Sequence, residues 1–396
     1  MEPSPAVREL VCTDCAATFD PAEQTHRCPE CDGSLTVAYD HDRIDVSTDS
    51  LADTRFDGLA RYSAFLPLSR EQLVTMDEGT TPLVACPTLA DAWGVGDVYV
   101  KDEGANPSGS VADRGLALAV SAARAHGASE VALATTGNAG QAAAAYAARA
   151  GLDSQSFVPS RATFGNKAMI NVHGGEMSVV GGRFDDAASA FADAASDEDW
   201  YSLAPFDTPY RVEGQKTLAY ELAEQLDWEV PDAIVYPTGH GVGPVGLYRG
   251  ATELADLGFV EGVPALYAAQ AAGCAPIVDA YEDGRDDCDP VETPDTICGD
   301  IEIGDPAGGS RALDAIRETD GGAVASEDAD SLEAAVSLAQ DEGTELAASS
   351  GPAVSGGQAL AEAGEFDEDD TVVIVNTAAA DKEADVLRSH LMSKGI

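Results

Sequence analysis

Positive charge is what this sequence has least of: 22 lysines and arginines stand against 70 aspartates and glutamates, a formal net charge of −48 over 396 residues. Such a surface repels nucleic-acid phosphates and anionic lipid headgroups, so polyanionic partners are excluded. Only five of the basic residues are lysines, Lys101, Lys167, Lys216, Lys382 and Lys394. Any chemistry that needs a side-chain amine must draw on one of them. Long apolar runs are also missing, and nothing approaches the roughly 18 uncharged residues that span a bilayer. The first ten residues carry Glu2, Arg8 and Glu9 and no apolar signal core, so no secretory leader is expected there. The expected location is cytoplasmic. The acidic excess is spread along the chain, as at residues 365–370, and stays soluble where molar salt screens charge to about 3 Å. It reads as the surface of a protein from a salt-accumulating halophile.

Cysteine is sparse but patterned. Four of eight form Cys12-x2-Cys15 and Cys28-x2-Cys31, twelve residues apart. Each CxxC pair places two thiolates at a tight turn, and two such turns supply four soft ligands for a tetrahedral zinc ion. A closed four-thiolate site is structural, so residues 1–40 are expected to be a zinc ribbon without catalytic duty, followed by a linker over 41–75. Disulfides are the alternative, disfavoured in a reducing cytosol. A ribbon that binds nucleic acid has only Arg8, Arg27 and Arg43 nearby among many acids. Cys86, Cys274, Cys288 and Cys298 show no ligand spacing and read as small core residues.

From residue 76 onward, short β-branched or apolar runs alternate with Ala-rich helical patterns. Strand-like runs fall at 98–100, 130–135, 155–158, 177–180, 233–236, 265–269 and 371–376. Helical patterns fall between them, among others at 112–126, 140–150, 212–226 and 245–257. This alternation predicts an α/β body of parallel sheets covered by helices, with ligands at the strand carboxyl ends. Three strand-to-helix junctions are rich in small polar residues: Asn106-Pro107-Ser108-Gly109-Ser110, Thr135-Thr136-Gly137-Asn138-Ala139-Gly140 and Thr238-Gly239-His240-Gly241-Val242-Gly243. Loops of this type aim backbone N–H groups and a helix N-terminus at an anion. One alone is often only a tight turn; three together favour a ligand bearing phosphate or carboxylate.

Glu78-Gly79-Thr80-Thr81-Pro82-Leu83, followed by Lys101-Asp102-Glu103-Gly104-Ala105-Asn106-Pro107-Ser108-Gly109-Ser110-Val111-Ala112-Asp113-Arg114-Gly115, closely resembles the threonine synthase pattern E-G-x-T-P-L … K-D-E-x-x-N-P-T-G-S-F-K-D-R-G. Thr136-Gly137-Asn138, Val212-Glu213-Gly214-Gln215-Lys216-Thr217 and Val373-Ile374-Val375-Asn376-Thr377 resemble further segments of that family, and many of its members also begin with a zinc ribbon. The resemblance implies the two-domain fold type II of pyridoxal-phosphate (PLP) enzymes, similar to the tryptophan synthase β chain. A smaller α/β subdomain, about 113–206, is then inserted in the larger one within a body spanning 76–396. It also implies the family reaction, in which O-phosphohomoserine and water give threonine and phosphate.

In that family the lysine of S-F-K-D-R-G holds PLP covalently and moves protons on the substrate. Here its position is Ala112, so no catalytic residue is assigned. Asn138 matches the asparagine near the PLP 3′-oxygen, although an Asx turn capping the following helix would use the same residue type. Gly239, His240, Gly241 and Gly243 match the phosphate cup, and Thr377 matches the residue facing the pyridine nitrogen. Ser110, Thr136, Arg161 and Lys167 are anion or substrate candidates. The glycine loop and the residues after Thr377, now Ala378-Ala379-Ala380, depart from the family pattern too, with Val242 where a glycine is usual. The expectation is a threonine synthase-like protein with impaired or lost PLP chemistry. Zinc sits in the ribbon, and PLP, if held, is held without a covalent bond. Its partners would be a phospho-amino acid or amino acid, with homodimer formation or pairing with an active paralogue. The alternatives are an active lyase working without the usual lysine, and a zinc-ribbon interaction protein on an enzyme scaffold.

Overall fold

Runs of Val, Ile, Leu and Ala that are apolar on both faces become the inner strands, because only a strand covered on two sides buries every residue. The computed structural model describes residues 1–23, 26–55 and 57–395; residues 24 and 25, within the expected ribbon, lie outside the described residues, as do 56 and 396. The strands of the N-terminal region are β1 (Val7–Cys12), β2 (Thr18–Phe19) and β3 (Leu35–Tyr39), followed by β4 (Leu83–Ala85) and β5 (Asp97–Asp102). Then come β6 (Glu130–Ala134), β7 (Asp153–Pro159), β8 (Glu176–Val180) and β9 (Tyr201–Ser202). The last four are β10 (Ala233–Pro237), β11 (Ala265–Ala271), β12 (Gly322–Ser326) and β13 (Thr371–Asn376). Among the described residues no helix is long and apolar enough to cross a membrane.

The chain forms two compact units. The first comprises Met1–Thr80, Ala112–Glu221 and Asp256–Phe259. It holds the antiparallel sheet β2-β1-β3 and the parallel sheet β8-β7-β6-β9. Its core joins Leu116, Leu118 and Val120 of the helix Ala112–Ala125 to Val131 and Leu133 of β6 and Tyr146 of the helix Asn138–Ala150. Alanine and glycine let these helices approach closely. A Cβ on Gly115 would lie 2.9 Å from the Arg211 carbonyl oxygen, and one on Gly214 only 2.2 Å from that of Arg114.

The second unit comprises Thr81–Val111, Leu222–Ala255 and Val260–Ile396. It holds the sheet β12-β11-β10-β13-β5-β4, in which every pair is parallel except β4 with β5. Strand β10 is buried along its whole length and β13 over five of six residues. The chain runs outward from β10 to β11 and β12 and returns as β13 on the other side of β10. Sheets of this type take ligands beyond the strand carboxyl ends at such a reversal, here between β10 and β13.

The expected helix over 212–226 is two helices, Tyr210–Gln215 and Thr217–Gln225. The break has a local cause: the Thr217 hydroxyl donates to the Gly214 carbonyl at 2.8 Å, competing with the helix ladder.

Candidate functional site

The four ribbon cysteines converge as their spacing predicts. The turns repeat each other: the Ala16 N–H donates to the Cys12 carbonyl at 3.1 Å, and the Asp32 N–H donates to that of Cys28 at 2.8 Å. Ala16 (φ 58°) and Asp32 (φ 62°) take the left-handed conformation that closes each turn. All four Sγ atoms lie within 4.8 Å of one another, with Cys12–Cys31 at 3.5 Å and Cys15–Cys28 at 3.7 Å. A tetrahedron of zinc–sulfur bonds of about 2.3 Å has edges of about 3.8 Å, so the donor set fits zinc. Burial raises the Cys12 thiol, but N–H groups of Cys15 and Asp14 outweigh it and bring the group to about 7, whereas the crowding of the other thiols pushes Cys31 up to about 12.

In the first unit, Ala112 opens its helix half-buried against the core. Its methyl offers neither a nucleophile nor a proton. Next to it, Arg114 is fully buried and paired with Glu221 at 3.0 Å, while its other nitrogen donates to the Thr217 hydroxyl at 3.3 Å. The Glu221 carboxylate also accepts the Thr80 N–H at 2.9 Å. Arg114 therefore joins the helices and the segment around Gly79 instead of facing a ligand. Asn138 is the first residue of its helix, after Gly137 at φ 142°. The Thr135 hydroxyl accepts the Gly137 and Gly140 N–H groups at 2.9 and 3.0 Å, so Thr135 does the capping that Asn138 would do in an Asx turn. Thr136 sits half-buried in the same loop. Arg161 is exposed, and the Lys167 ammonium donates to the Ser160 carbonyl at 2.9 Å; both flank the start of the helix Phe164–Val172.

In the second unit, Gly239, His240 and Gly241 lie between β10 and the helix Val242–Asp256, and Gly243 is the second residue of that helix. The helix start supplies the N–H groups and positive dipole end that suit a phosphate. Packing demands two of these glycines whatever the ligand. Gly241 has φ +87°, and its Cβ would lie 2.8 Å from the Gly308 carbonyl; a Cβ on Gly243 would enter the Tyr236 ring at 2.1 Å. His240 is tied to the loop before the helix Gly309–Glu318: its Nδ1 accepts the Ala307 N–H at 3.4 Å, and its carbonyl accepts the Gly308 N–H at 3.0 Å.

The loop holding Ser110 is joined to the end of β13: the Val111 N–H donates to the Thr377 carbonyl at 2.9 Å, and Ser110 bridges Ala378. The Ser110 hydroxyl is buried and has no hydrogen-bond partner among the described residues, a polar group that a ligand would satisfy. Sequence reasoning missed what stands behind Thr377. Ser350 Oγ lies 3.1 Å from Thr377 Oγ1 and accepts the Thr377 N–H at 3.0 Å. Ser349 donates to Glu383 through its hydroxyl and its N–H, both at 2.7 Å. Burial, with Asp300 nearby, raises the Glu383 carboxyl to about 8. The signal was Ser349-Ser350-Gly351-Pro352, hydroxyls directly ahead of a helix start.

Lys101 is buried and donates to the Thr81 carbonyl at 2.8 Å and to Gln225 at 2.7 Å. Lys216 is buried against Glu213 at 2.9 Å, and Lys394 pairs with Glu333. Lys382 lays its chain across Gly109, where an added Cβ would meet its Cε at 2.8 Å.

Residues 74–378 match the family model described as pyridoxal-phosphate dependent enzyme. The chain is 38% identical over 369 residues to threonine synthase of Methanosarcina acetivorans, covering 93% of this chain and 90% of that one. Among solved structures it resembles a processed threonine deaminase isoform 2 from Solanum lycopersicum, with TM-score 0.68, 20% identity, and coverage of 88% of this chain and 95% of that one. It also resembles a lysine-to-alanine mutant of O-ureido-L-serine synthase bound to O-ureido-L-serine, with TM-score 0.66, 20% identity, and coverage of 80% and 93%.

Proposed function

The chain belongs to the family of pyridoxal-phosphate-dependent enzymes, and from that premise we propose that it is a threonine synthase-like protein in which the lysine-dependent chemistry is lost or strongly impaired. The observation that carries this reading is Ala112 at the first position of its helix, where the motif of threonine synthases has lysine. A positioned acid–base group alone contributes about 10²–10⁴-fold, and the covalent link to the cofactor depends on the same amine.

The residues present fit PLP even so. The first turn of the helix Val242–Asp256 and the glycines before it suit its phosphate, Thr377 suits its ring nitrogen, and the Ser110 hydroxyl has no partner among the described residues. When bound, PLP supplies an electron sink for charge on the carbon next to an amine. The chain's own part is to bind and orient: Ser350 steadies the Thr377 hydroxyl and Glu383 steadies Ser349. No side chain at position 112 exchanges a proton. The cofactor is held without a covalent bond, Asn138 is a further cofactor-binding candidate, and Ser110, Thr136, Arg161 and Lys167 are the candidates for contacting an amino acid or phospho-amino acid. The ribbon holds zinc in a structural role. The acidic surface suits the cytoplasm of a salt-accumulating cell, with assembly as a homodimer or with an active paralogue.

Phosphate release from O-phosphohomoserine by the purified chain with added PLP, in molar salt, tests the reading. The expected rate is the uncatalysed background, and borohydride treatment is expected to leave no lysine-linked PLP by mass spectrometry. Enzymatic turnover would sink the proposal in favour of a lyase that works without the usual lysine.

A further inference from the structure

The ribbon is built into the first unit through side chains on both of its edges. On the knuckle edge, His26 lies against Tyr201 with ring centroids 5.1 Å apart, and its Nε2 accepts the Ser202 N–H at 3.3 Å. Arg27 reaches Asp207 at 3.8 Å, and His126 Nε2 lies 3.2 Å from the Pro21 carbonyl oxygen. On the strand edge, the Tyr39 hydroxyl of β3 donates to Glu213 Oε2 at 2.6 Å. The same carboxylate oxygen pairs with Lys216 at 2.9 Å, and the Lys216 ammonium stands 4.1 Å from the centroid of the Tyr39 ring.

Glu213 and Lys216 are both about 1% exposed. A buried ion pair holds its geometry only where further hydrogen bonds satisfy the carboxylate, and losing one partner is far more damaging than losing a surface pair. Tyr39 supplies such a bond, together with a π face for the ammonium. Glu213 and Lys216 bracket Gly214, the residue whose backbone seats against the Arg114 carbonyl with no room for a Cβ. A rigid contact at that distance transmits any shift of the helix Tyr210–Gln215 directly to the first turn of the helix Ala112–Ala125.

We propose that the four-cysteine ribbon is a metal-dependent brace for the start of the helix Ala112–Ala125, with Tyr39 as the positioning residue that connects them. Metal binding fixes β1 and β3, β3 presents Tyr39, and Tyr39 holds Glu213 and Lys216 so that Gly214 stays seated on Arg114. Metal loss releases this contact first and loosens Tyr210–Gln215 and residues 112–118 together. The inference uses the reading of the ribbon as a metal site and does not depend on whether the chain turns over a substrate.

Hydrogen–deuterium exchange of the full-length zinc-loaded chain in molar salt tests the brace, with zinc counted by elemental analysis. Removing zinc with a chelator is expected to speed exchange at 210–217 and 112–118 about ten-fold or more, leaving residues 371–376 unchanged. Tyr39→Phe keeps the ring and the metal but removes the hydroxyl. It is expected to speed the same two segments while the ribbon amides stay protected, which a purely local role for Tyr39 would not produce. Where chelation unfolds the whole chain, Tyr39→Phe decides. Unchanged exchange at 210–217 in Tyr39→Phe overturns the brace, as does metal loss confined in its effect to residues 7–40. A chain that takes up no zinc under any condition defeats the metal reading instead, and elemental analysis distinguishes that result.

Discussion

Glu78 lies wholly inside the first unit, and its Oε2 accepts from the Thr75 hydroxyl at 3.0 Å, the Met76 N–H at 2.8 Å and the Tyr146 hydroxyl at 3.1 Å. Its Oε1 has no partner among the described residues. Burial outweighs the three donors and lifts the carboxyl from 4.5 to about 7. An acid whose folded value is raised keeps its proton longer in the folded state. Its stabilisation is complete below the unfolded value and is lost as pH rises toward the folded one. Stability should therefore fall between pH 4.5 and about 7, by on the order of 3 kcal/mol from this group. Thermal unfolding of Glu78→Gln across that range is expected to show a shallower slope, and an unchanged slope would remove the assignment. The slope that remains belongs in part to Glu383, whose carboxyl is raised to about 8. Neither shift was legible in the sequence, because burial of a carboxylate is set by chain segments far apart in number.

At the scale of elements, most of the parallel strands read directly from apolar runs, and β13 occupies the expected residues 371–376, while β9 and β12 escaped notice. The CxxC turns were legible for a stronger reason: thiolate chemistry permits few spacings. The helix break at Lys216 was not legible, since residues 212–226 carry an unbroken helical pattern and the interruption comes from Thr217 and Gly214 meeting Arg114. The short antiparallel β4 escaped notice too, being three residues long. The hydroxyls of Ser349 and Ser350 join the site only through β13 and the turn after it, a relation between residues about 30 positions apart. Thr217→Val deletes one hydroxyl that serves both the Gly214 carbonyl and Arg114. It is expected to destabilise the chain by about 1–3 kcal/mol, measured by denaturant unfolding in molar salt. A loss below about 0.5 kcal/mol would show that the break is held by something else.

For the whole molecule, the charge of −48 sets the conditions under which any of this is observed. Lowering salt from about 1 M to 0.1 M lengthens the screening distance from about 3 Å to 10 Å, so like charges that ignored each other begin to repel. The melting temperature is expected to fall steeply over that range and to recover with sodium chloride; a salt-independent melting curve would contradict it. Of the candidate site, the positions of the glycine loops were readable and the hydroxyls of Ser349 and Ser350 were not, because glycine loops announce themselves in sequence while buried hydroxyls do not. The close approach of Gly214 to the Arg114 carbonyl in the first unit is made by main-chain atoms alone and takes no account of what stands at position 112. Architecture and the proposed reactivity thus rest on separate residues: the packing of Gly214 on Arg114 needs no amine at position 112.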